Sequence, residues 1–546
     1  MSPTLPNECL HEIFSYLDND LKTLHSAIFV SHVWCENAIP FLWKKPFRQN
    51  PKEINLFKII PIFLSFLKNQ KKDDLQLENI STFKLPTKTT FDYPFFIQHL
   101  DLNYLITAVT QWLIKYPPIN ETSLFYYKRT KKEISIDYLK RNDFVVSILI
   151  TIITISEKIE KLEINMDKEL DVNIVEEITK FFAIPETFKC LSQLTHLEFS
   201  GKVFLTGIIS ELSNYAHELI SIKFCPSEEI PGESYKEFAN LILTQKNLKY
   251  LRLEWPSRKF NATQILLSLS NSVNSLLEFT MINGCVTDGR AFESLADCSN
   301  LELLHFNGQH FTVEQMKPFY DANMPKLYSL QLIDLYDRID RISQLPPRMT
   351  TTTTTNITNP YIGIFQNTRM SSNLRNLCIR TKGMSLHSIL EAVSRICQNF
   401  ISFTTYMIKN EDKNFILSII RNSPRLESLE ILAIDEIFVD FISFIPLALP
   451  SPPLCRDGND LLLEMVKVLP NGLRHLNISQ LEILDGTLKY FLEKCEAKLK
   501  SLIYYSNHIL NDEEFIKKIS DEKGWKVKQI DSINVGENVR IIVLWE

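Results

Sequence analysis

Glycine is scarce in this chain, with 13 in 546 residues. Phosphate-cradling loops need glycines at fixed spacing, and no G-x-G-x-x-G or G-x-x-x-x-G-K-[ST] run occurs. H-E-x-x-H and G-x-S-x-G are absent too, so zinc-protease and nucleophile-elbow chemistry have no carrier. The ten cysteines form no C-x-x-C pair and keep no regular spacing, which argues against a disulfide framework and a zinc site. Thiols scattered among apolar neighbours read as small buried hydrophobes of a reducing compartment. Charge of one sign is lacking as well: 59 Lys and Arg against 65 Asp and Glu leave a net −6. That balance gives no basic track for nucleic acid. The longest apolar tracts, 57–67 and 144–155, are interrupted by Lys, Pro, Ser or Thr and fall short of a membrane span. No apolar leader run opens the chain. The expectations are no metal, no cofactor, no nucleic-acid or membrane partner, and a cytoplasmic and/or nuclear protein.

What the chain does have begins at its amino end. Leu10, Ile13, Phe14 and Leu17 follow i, i+3, i+4, i+7, one apolar stripe on a helix. Pro6 suits the start of that helix, and Glu8 suits the positive end of its dipole. Asn19 and Asp20 break it and offer a cap to the next. Leu21, Leu24 and Ile28 make a second short face, Val30-Ser31-His32-Val33-Trp34 opens a third, and Leu42-Trp43 closes the unit. Some 45 residues in three helices bury little core alone, which predicts apolar surface left over for a partner.

Leu5, Pro6, Glu8, Leu10, Ile13, Phe14 and Leu17, then Asp20 and Leu21, then Val30, Ser31 and Trp34, then Leu42 and Trp43, resemble the F-box pattern over residues 3–47. The resemblance implies docking onto a Skp-type linker, and through it cullin and RING subunits of a ubiquitin ligase. It implies linker contacts at Leu5, Pro6, Leu10, Ile13, Phe14, Leu17, Val30, Trp34 and Trp43.

Residues 48–155 read as a helical connector. Helical spacing covers 54–67, with Pro61 as a break, and 100–116, stopped by Pro117-Pro118. The apolar run 144–155 fits a strand or a buried helix equally.

From residue 156 a unit repeats: an apolar residue, then apolar residues three and five further on. Ile159/Leu162/Ile164, Leu248/Leu251/Leu253 and Leu301/Leu304/Phe306 are examples, and the copy at Phe400/Phe403 runs into Thr405. Successive copies start 25–29 residues apart, apart from a first step of 35 and two steps of 47. The long steps place insertions at 336–370, around a threonine run, and at 443–460, around four prolines. The last two apolar residues of each copy share one face of a strand, and helical patterns such as 235–244 and 386–396 lie between copies. One strand and one helix cannot bury their own apolar sides, so neighbours must stack.

The unit resembles the long, helix-bearing leucine-rich repeat over residues 156–510. The resemblance implies an α/β chain whose C-terminal part is a right-handed β/α horseshoe of about 12 repeats. The polar residue the family often places after the strand is mostly missing; Pro256 and Gln309 stand there in two copies. Residues 511–546, a charged helix pattern and two strand patterns, suit a cap.

The exposed strand parity mixes polar, aromatic and charged residues of both signs, which suits a protein epitope. Tyr250, Arg252, His305, Gln331, Arg380 and Glu430 are the candidate target contacts, Tyr250 and Arg252 being hot-spot types. His196, His475 and Cys378 share that parity and suit ordinary surface. The expected function is a non-catalytic adaptor that brings an unidentified protein target to a ligase. Two alternatives stay open: a scaffold using the same surfaces outside a ligase, and an enzyme regulator or enzyme.

Overall fold

The computed structural model describes residues 5–47, 56–69, 89–116, 138–166, 172–336, 359–433 and 458–545, less short breaks at 183, 202–205, 228–231, 258–259, 309–310, 383–384, 408–409, 480, 507–508 and 536–537. Most of the 336–370 and 443–460 insertions therefore lies outside the described residues. The chain divides into two compact units, Met1–Pro256 and Ser257–Glu546.

The first unit opens with helices α1 (Asn7–Tyr16), α2 (Leu21–Ala27) and α3 (His32–Trp43). Asp20 caps α2 by accepting the Thr23 N–H, and Ser31 caps α3 by accepting that of Trp34. The three helices close over Leu10, Phe14, Leu24, Ala27, Ala38 and Phe41.

Then follow α4 (Ile60–Asn69), strand β1 (His99–Asp101), α5 (Leu102–Lys115) and α6 (Tyr138–Ile155). A 3-10 turn, Leu56–Ile59, leads into α4, and Pro61 stands in the first turn of α4, where a missing N–H costs nothing; the helix type changes at the proline. The ambiguous run 144–155 is helical within α6. Its residues Val145, Ile148, Leu149 and Ile152 are fully buried, and a helix buried on several sides loses its periodic signature.

The stretch read as connector also holds a strand. Asp101, 8% exposed, ends β1 and caps α5 by accepting the Tyr104 N–H. β1 pairs in parallel with β2 (Lys161–Met166), so the ladder starts before residue 156. Ile97, Leu100 and Leu102 show the repeating apolar spacing and are buried, so this is an earlier copy. Its signal was hidden because 62 residues separate it from the next copy. β3 (His196–Gly201), β4 (Ser221–Pro226) and β5 (Tyr250–Glu254) continue the parallel order. Two helices, Val172–Phe182 and Pro185–Leu191, fill the long step between β2 and β3.

The second unit repeats the design. β6 (Glu278–Ile282), β7 (Leu303–Asn307), β8 (Ser329–Tyr336), β9 (Asn376–Lys382), β10 (Ser402–Met407), β11 (Ser428–Ala433), β12 (His475–Asn477) and β13 (Ser501–Ser506) pair in parallel, each with the next in sequence. β14 (Val527–Val535) and β15 (Asn538–Trp545) form an antiparallel hairpin, and β15 pairs antiparallel with β13. That pairing covers the open edge a stack of parallel strands would leave. In both units the inward strand residues are buried, Leu251 and Leu253 in β5 and Leu304 and Phe306 in β7, while alternate residues face outward.

Candidate functional site

Two surfaces stand out. The first is the outside of the N-terminal cluster. Among the described residues, six of the eighteen large apolar residues that stand exposed fall within the first 33: Leu5, Ile13, Tyr16, Phe29, Val30 and Val33. Tyr16 is 82% and Phe29 75% exposed. Folding has used the other side of the same helices. Leu10 and Phe14, expected as linker contacts, are 1% exposed and belong to the cluster's core. Phe14 meets the Trp34 and Phe41 rings edge-on at 5.6 and 6.4 Å. Leu17 and Trp34 are partly buried against that core. Trp43 is taken up elsewhere: its ring lies 4.3 Å from that of Tyr93 and 6.1 Å from that of Phe63. Of the expected contacts, Leu5, Pro6, Ile13 and Val30 remain on the outside. Sequence reading passed over Tyr16, Phe29 and Val33. Helical phase alone carried the signal for Tyr16, three residues beyond Ile13.

The second surface is the outward strand face, and its chemistry differs between the units. In the first unit it is a mesh of charges. Lys161 bridges Glu163 at 2.5 Å and Glu198 at 3.7 Å, and Lys223 pairs with Glu198. Arg252 pairs with its own neighbour Glu254, which also accepts the Cys225 thiol at 3.1 Å. Burial and that carboxylate push the Cys225 thiol well above its usual range. Arg252 is therefore committed within the chain, while Tyr250 beside it is 38% exposed.

In the second unit the face carries a shallow groove of about 290 Å³ across β8, β9, β10 and β11. Register explains it. Ser329, Asn376, Ser402 and Ser428 align as one row of small residues. Gln331, Cys378, Thr404 and Glu430 align as the next. Arg380 reaches over the second row to Glu430 at 2.6 Å, and Asn477 Nδ2 donates to the other Glu430 oxygen at 2.6 Å. The fold thus gathers Gln331, Arg380 and Glu430 in one place, and His305 pairs in register with Gln331 one strand away. Tyr250 and Arg252 belong to the other unit. His196 and His475 sit on the outward parity, bonded to Thr195 and Ser501 hydroxyls at 2.9 and 2.8 Å.

Neither surface assembles reactive groups. Among the described residues no cluster of His, Cys, Asp and Glu could hold a metal, and no helix is long and apolar enough to cross a membrane. The nine described cysteines are free thiols, and burial pushes Cys190, Cys298 and Cys397 up to about 12.

Residues 3–49 match the F-box-like family. The match spans less than a tenth of the chain, and it covers the helices with the exposed apolar set. No curated protein matches the chain. Among solved structures, the crystal structure of an internalin from Listeria monocytogenes is similar at 14% identity, covering 52% of this chain and 77% of that one, with a TM-score of 0.26. So weak a superposition carries no argument. Parallel ladders run within each of the two units, consistent with stacked strand-and-helix repeats. An F-box-like segment is thus followed by parallel ladders in each unit.

Proposed function

We propose that this chain is a substrate-recruiting adaptor of a cullin–RING ubiquitin ligase. The F-box-like segment docks a Skp-type linker, and the outward strand face holds a protein target. Its place is the cytoplasm, the nucleus or both. The observation that carries this reading is the division of the segment's apolar residues: Leu10 and Phe14 inside, Ile13, Tyr16, Phe29 and Val30 outside. A cluster this small gains nothing by leaving large apolar groups in water unless a partner covers them. The chain supplies no transferring cysteine and no catalytic set of its own in this reading. Its contribution is proximity, holding a target lysine near a charged conjugating enzyme at high effective concentration.

The test is affinity capture from cells with the full chain and with the double variant Ile13→Asp/Val30→Asp. The unaltered chain brings down linker and cullin together. The variant brings down neither, and its thermal unfolding is unchanged, since both side chains are already exposed. Linker recovered equally with both chains removes the docking assignment. Linker without cullin, from the unaltered chain, points to an assembly outside a ligase.

A further inference from the structure

The outward face of the second unit changes character at its last strands. Register carries two rows of residues across them. One runs Glu430, Asn477, Ile503, Ile542 and Asp531, from β11 through β12, β13 and β15 to β14. The other runs Ser428, His475, Ser501, Leu544 and Gln529. The first row turns aliphatic at β13 and the second at β15.

The cause is β15. Residues 541–545 are five apolar residues in succession. Ile541, Val543 and Trp545 face inward and are buried. Ile542 and Leu544 lie on the outward side with Ile503 and are only half-buried. Ile533 on β14 adds to them, 49% exposed and paired in register with Arg540. A strand that alternates apolar and polar has one wet face, whereas one apolar throughout belongs to a sheet covered on both. The outward side of this cap is thus built to be covered.

Charge narrows what covers it. Lys500, whose carbonyl accepts the Trp545 N–H, and Arg474, whose carbonyl accepts the Lys500 N–H, stand exposed just before β13 and β12. Lys528 stands exposed where the register of β14 shifts between Val527 and Gln529. Among the described residues none of these three cations takes part in an ion pair, unlike those of the first unit's mesh. The two carboxylates within the row are already held: Glu430 by Arg380 and Asn477, Asp531 by the Gln529 amide. A second copy laid patch on patch would bring the same cations with it. A partner with aliphatic and acidic side chains close together covers the patch and answers its charge. Three strands span about 10 Å, the footprint of two or three side chains of one short segment.

We propose that the outward face of β13, β15 and β14 docks a short target segment in which branched aliphatic residues sit beside Asp or Glu. The proposal rests on the strand face being the target-binding surface.

The experiment immobilises the full chain and offers three pools of short, acetylated and amidated peptides. One combines Ile, Leu and Val with Asp and Glu. One combines the same aliphatic residues with Lys and Arg, and one combines Asp and Glu with Ser and Asn. The aliphatic–acidic pool is retained and the other two are not. Ile542→Thr/Leu544→Thr, which keeps strand-forming side chains and removes the outward apolar groups, lowers that retention by about tenfold or more. Lys500→Glu/Lys528→Glu, at exposed positions, moves retention to the aliphatic–basic pool with an unchanged unfolding midpoint, a shift that loss of folding does not give. Another pool held best by the unaltered chain overturns the assigned chemistry. Retention that neither variant alters, or retention of no pool, overturns the site. Self-association of the unaltered chain in sedimentation, abolished by Ile542→Thr/Leu544→Thr, gives the patch to a second copy and overturns the proposal as well. Linker capture by the same preparation is unchanged in both variants; its failure with pool retention intact removes the adaptor reading and leaves the docking site.

Discussion

The carbonyl oxygen of Lys44, just past α3, accepts the backbone N–H of His99, the first residue of β1, at 3.0 Å. It also accepts the N–H of Gln98 at 3.1 Å. This two-donor bond is the signature of the array itself. Gln98 O accepts from Glu160 and Lys161, Glu160 O from Thr195 and His196, and Ile220 O from Lys249 and Tyr250. The F-box-like segment thus supplies the rung before the first strand and serves as the amino-terminal cap of the first unit. It is built into the ladder, where reading the sequence suggested a separate head on a connector.

A cap of this kind shares its stability with what it covers. Trp43 stacks near Tyr93 and Phe63, and Phe47 lies 5.5 Å from Phe63. Trp43→Ala removes one partly buried aromatic from the joint and is expected to cost about 2 kcal/mol. Tryptophan fluorescence and amide exchange across β1 and β2 should report the loss together. Protection of β1 and β2 that is untouched in the variant would show a head that folds by itself.

The two sides of α1 separate stability from docking. Phe14→Ala empties a fully buried site and is expected to cost about 3–5 kcal/mol. Tyr16→Asp changes an exposed residue and is expected to stay within about 0.5 kcal/mol of the parent. Chemical unfolding midpoints measure both. Equal losses for the pair would mean that Tyr16 is covered within the chain.

Much of this was legible in the residues because burial leaves a period. The i, i+3, i+5 apolar spacing marked the strands of Leu251/Leu253 and Leu304/Phe306, and the N-terminal stripe marked α1. The spacing says which residues are apolar on one side and not which of them a partner covers. Leu10 and Ile13 look alike in that pattern, and only the packing of Phe41 and Trp34 around Phe14 separates core from surface. The groove was legible only in part. Gln331, Arg380 and Glu430 were placed on the outward parity, but the register that sets three serines and Asn376 in a row beside them is a tertiary fact. Arg252 looked free because nothing in its spacing reveals a pair with the residue two further along the strand.

Two neighbours on β1 make opposite demands on pH. Burial, together with Lys45, Lys44 and Lys161, holds His99 down at about 3 from its ordinary 6.5, with Asp18 opposing weakly. The folded chain therefore binds fewer protons than the unfolded one between these values, and this contribution to stability is lost as pH falls from about 6.5 towards 3. Burial, with Glu163 adding to it, raises Asp101 to about 7 from 3.8. There the folded chain holds the extra proton, and this contribution is lost as pH rises from about 3.8 towards 7. Each slope is at most about 1.4 kcal/mol per pH unit, and they oppose each other. Asp101→Asn, which keeps the helix cap, should leave stability rising from about pH 4 to 6.5. His99→Gln should leave it falling over the same interval. Denaturant midpoints across that range decide, and two variants parallel to the parent would remove the opposition.

The polar residue mostly missing after the strands has a substitute between neighbouring repeats. Gln245 is fully buried, three residues before Leu248, the first apolar residue of its copy. Its Oε1 accepts the Leu219 N–H of the copy before at 2.9 Å, and its Nε2 donates to the Ala216 and Leu241 carbonyls at 2.8 and 2.7 Å. Ser423 stands in the same relation to the second-unit copy at Phe400, accepting its N–H at 3.3 Å. Leucine matches glutamine in size and offers no acceptor, so Gln245→Leu keeps the volume and strips Leu219 of its partner. The orphaned backbone group should cost about 2–3 kcal/mol. Gln245→Glu retains an acceptor, and the stem still reaches Leu219, but the two carbonyls then face a carboxylate; protonation in acid restores one donor. Its deficit should therefore shrink as pH is lowered, whereas that of Gln245→Leu should not. Thermal unfolding of the two variants at neutral and acid pH, each against the parent, measures this. A leucine variant as stable as the parent would mean that the repeats are held by apolar packing alone at this junction.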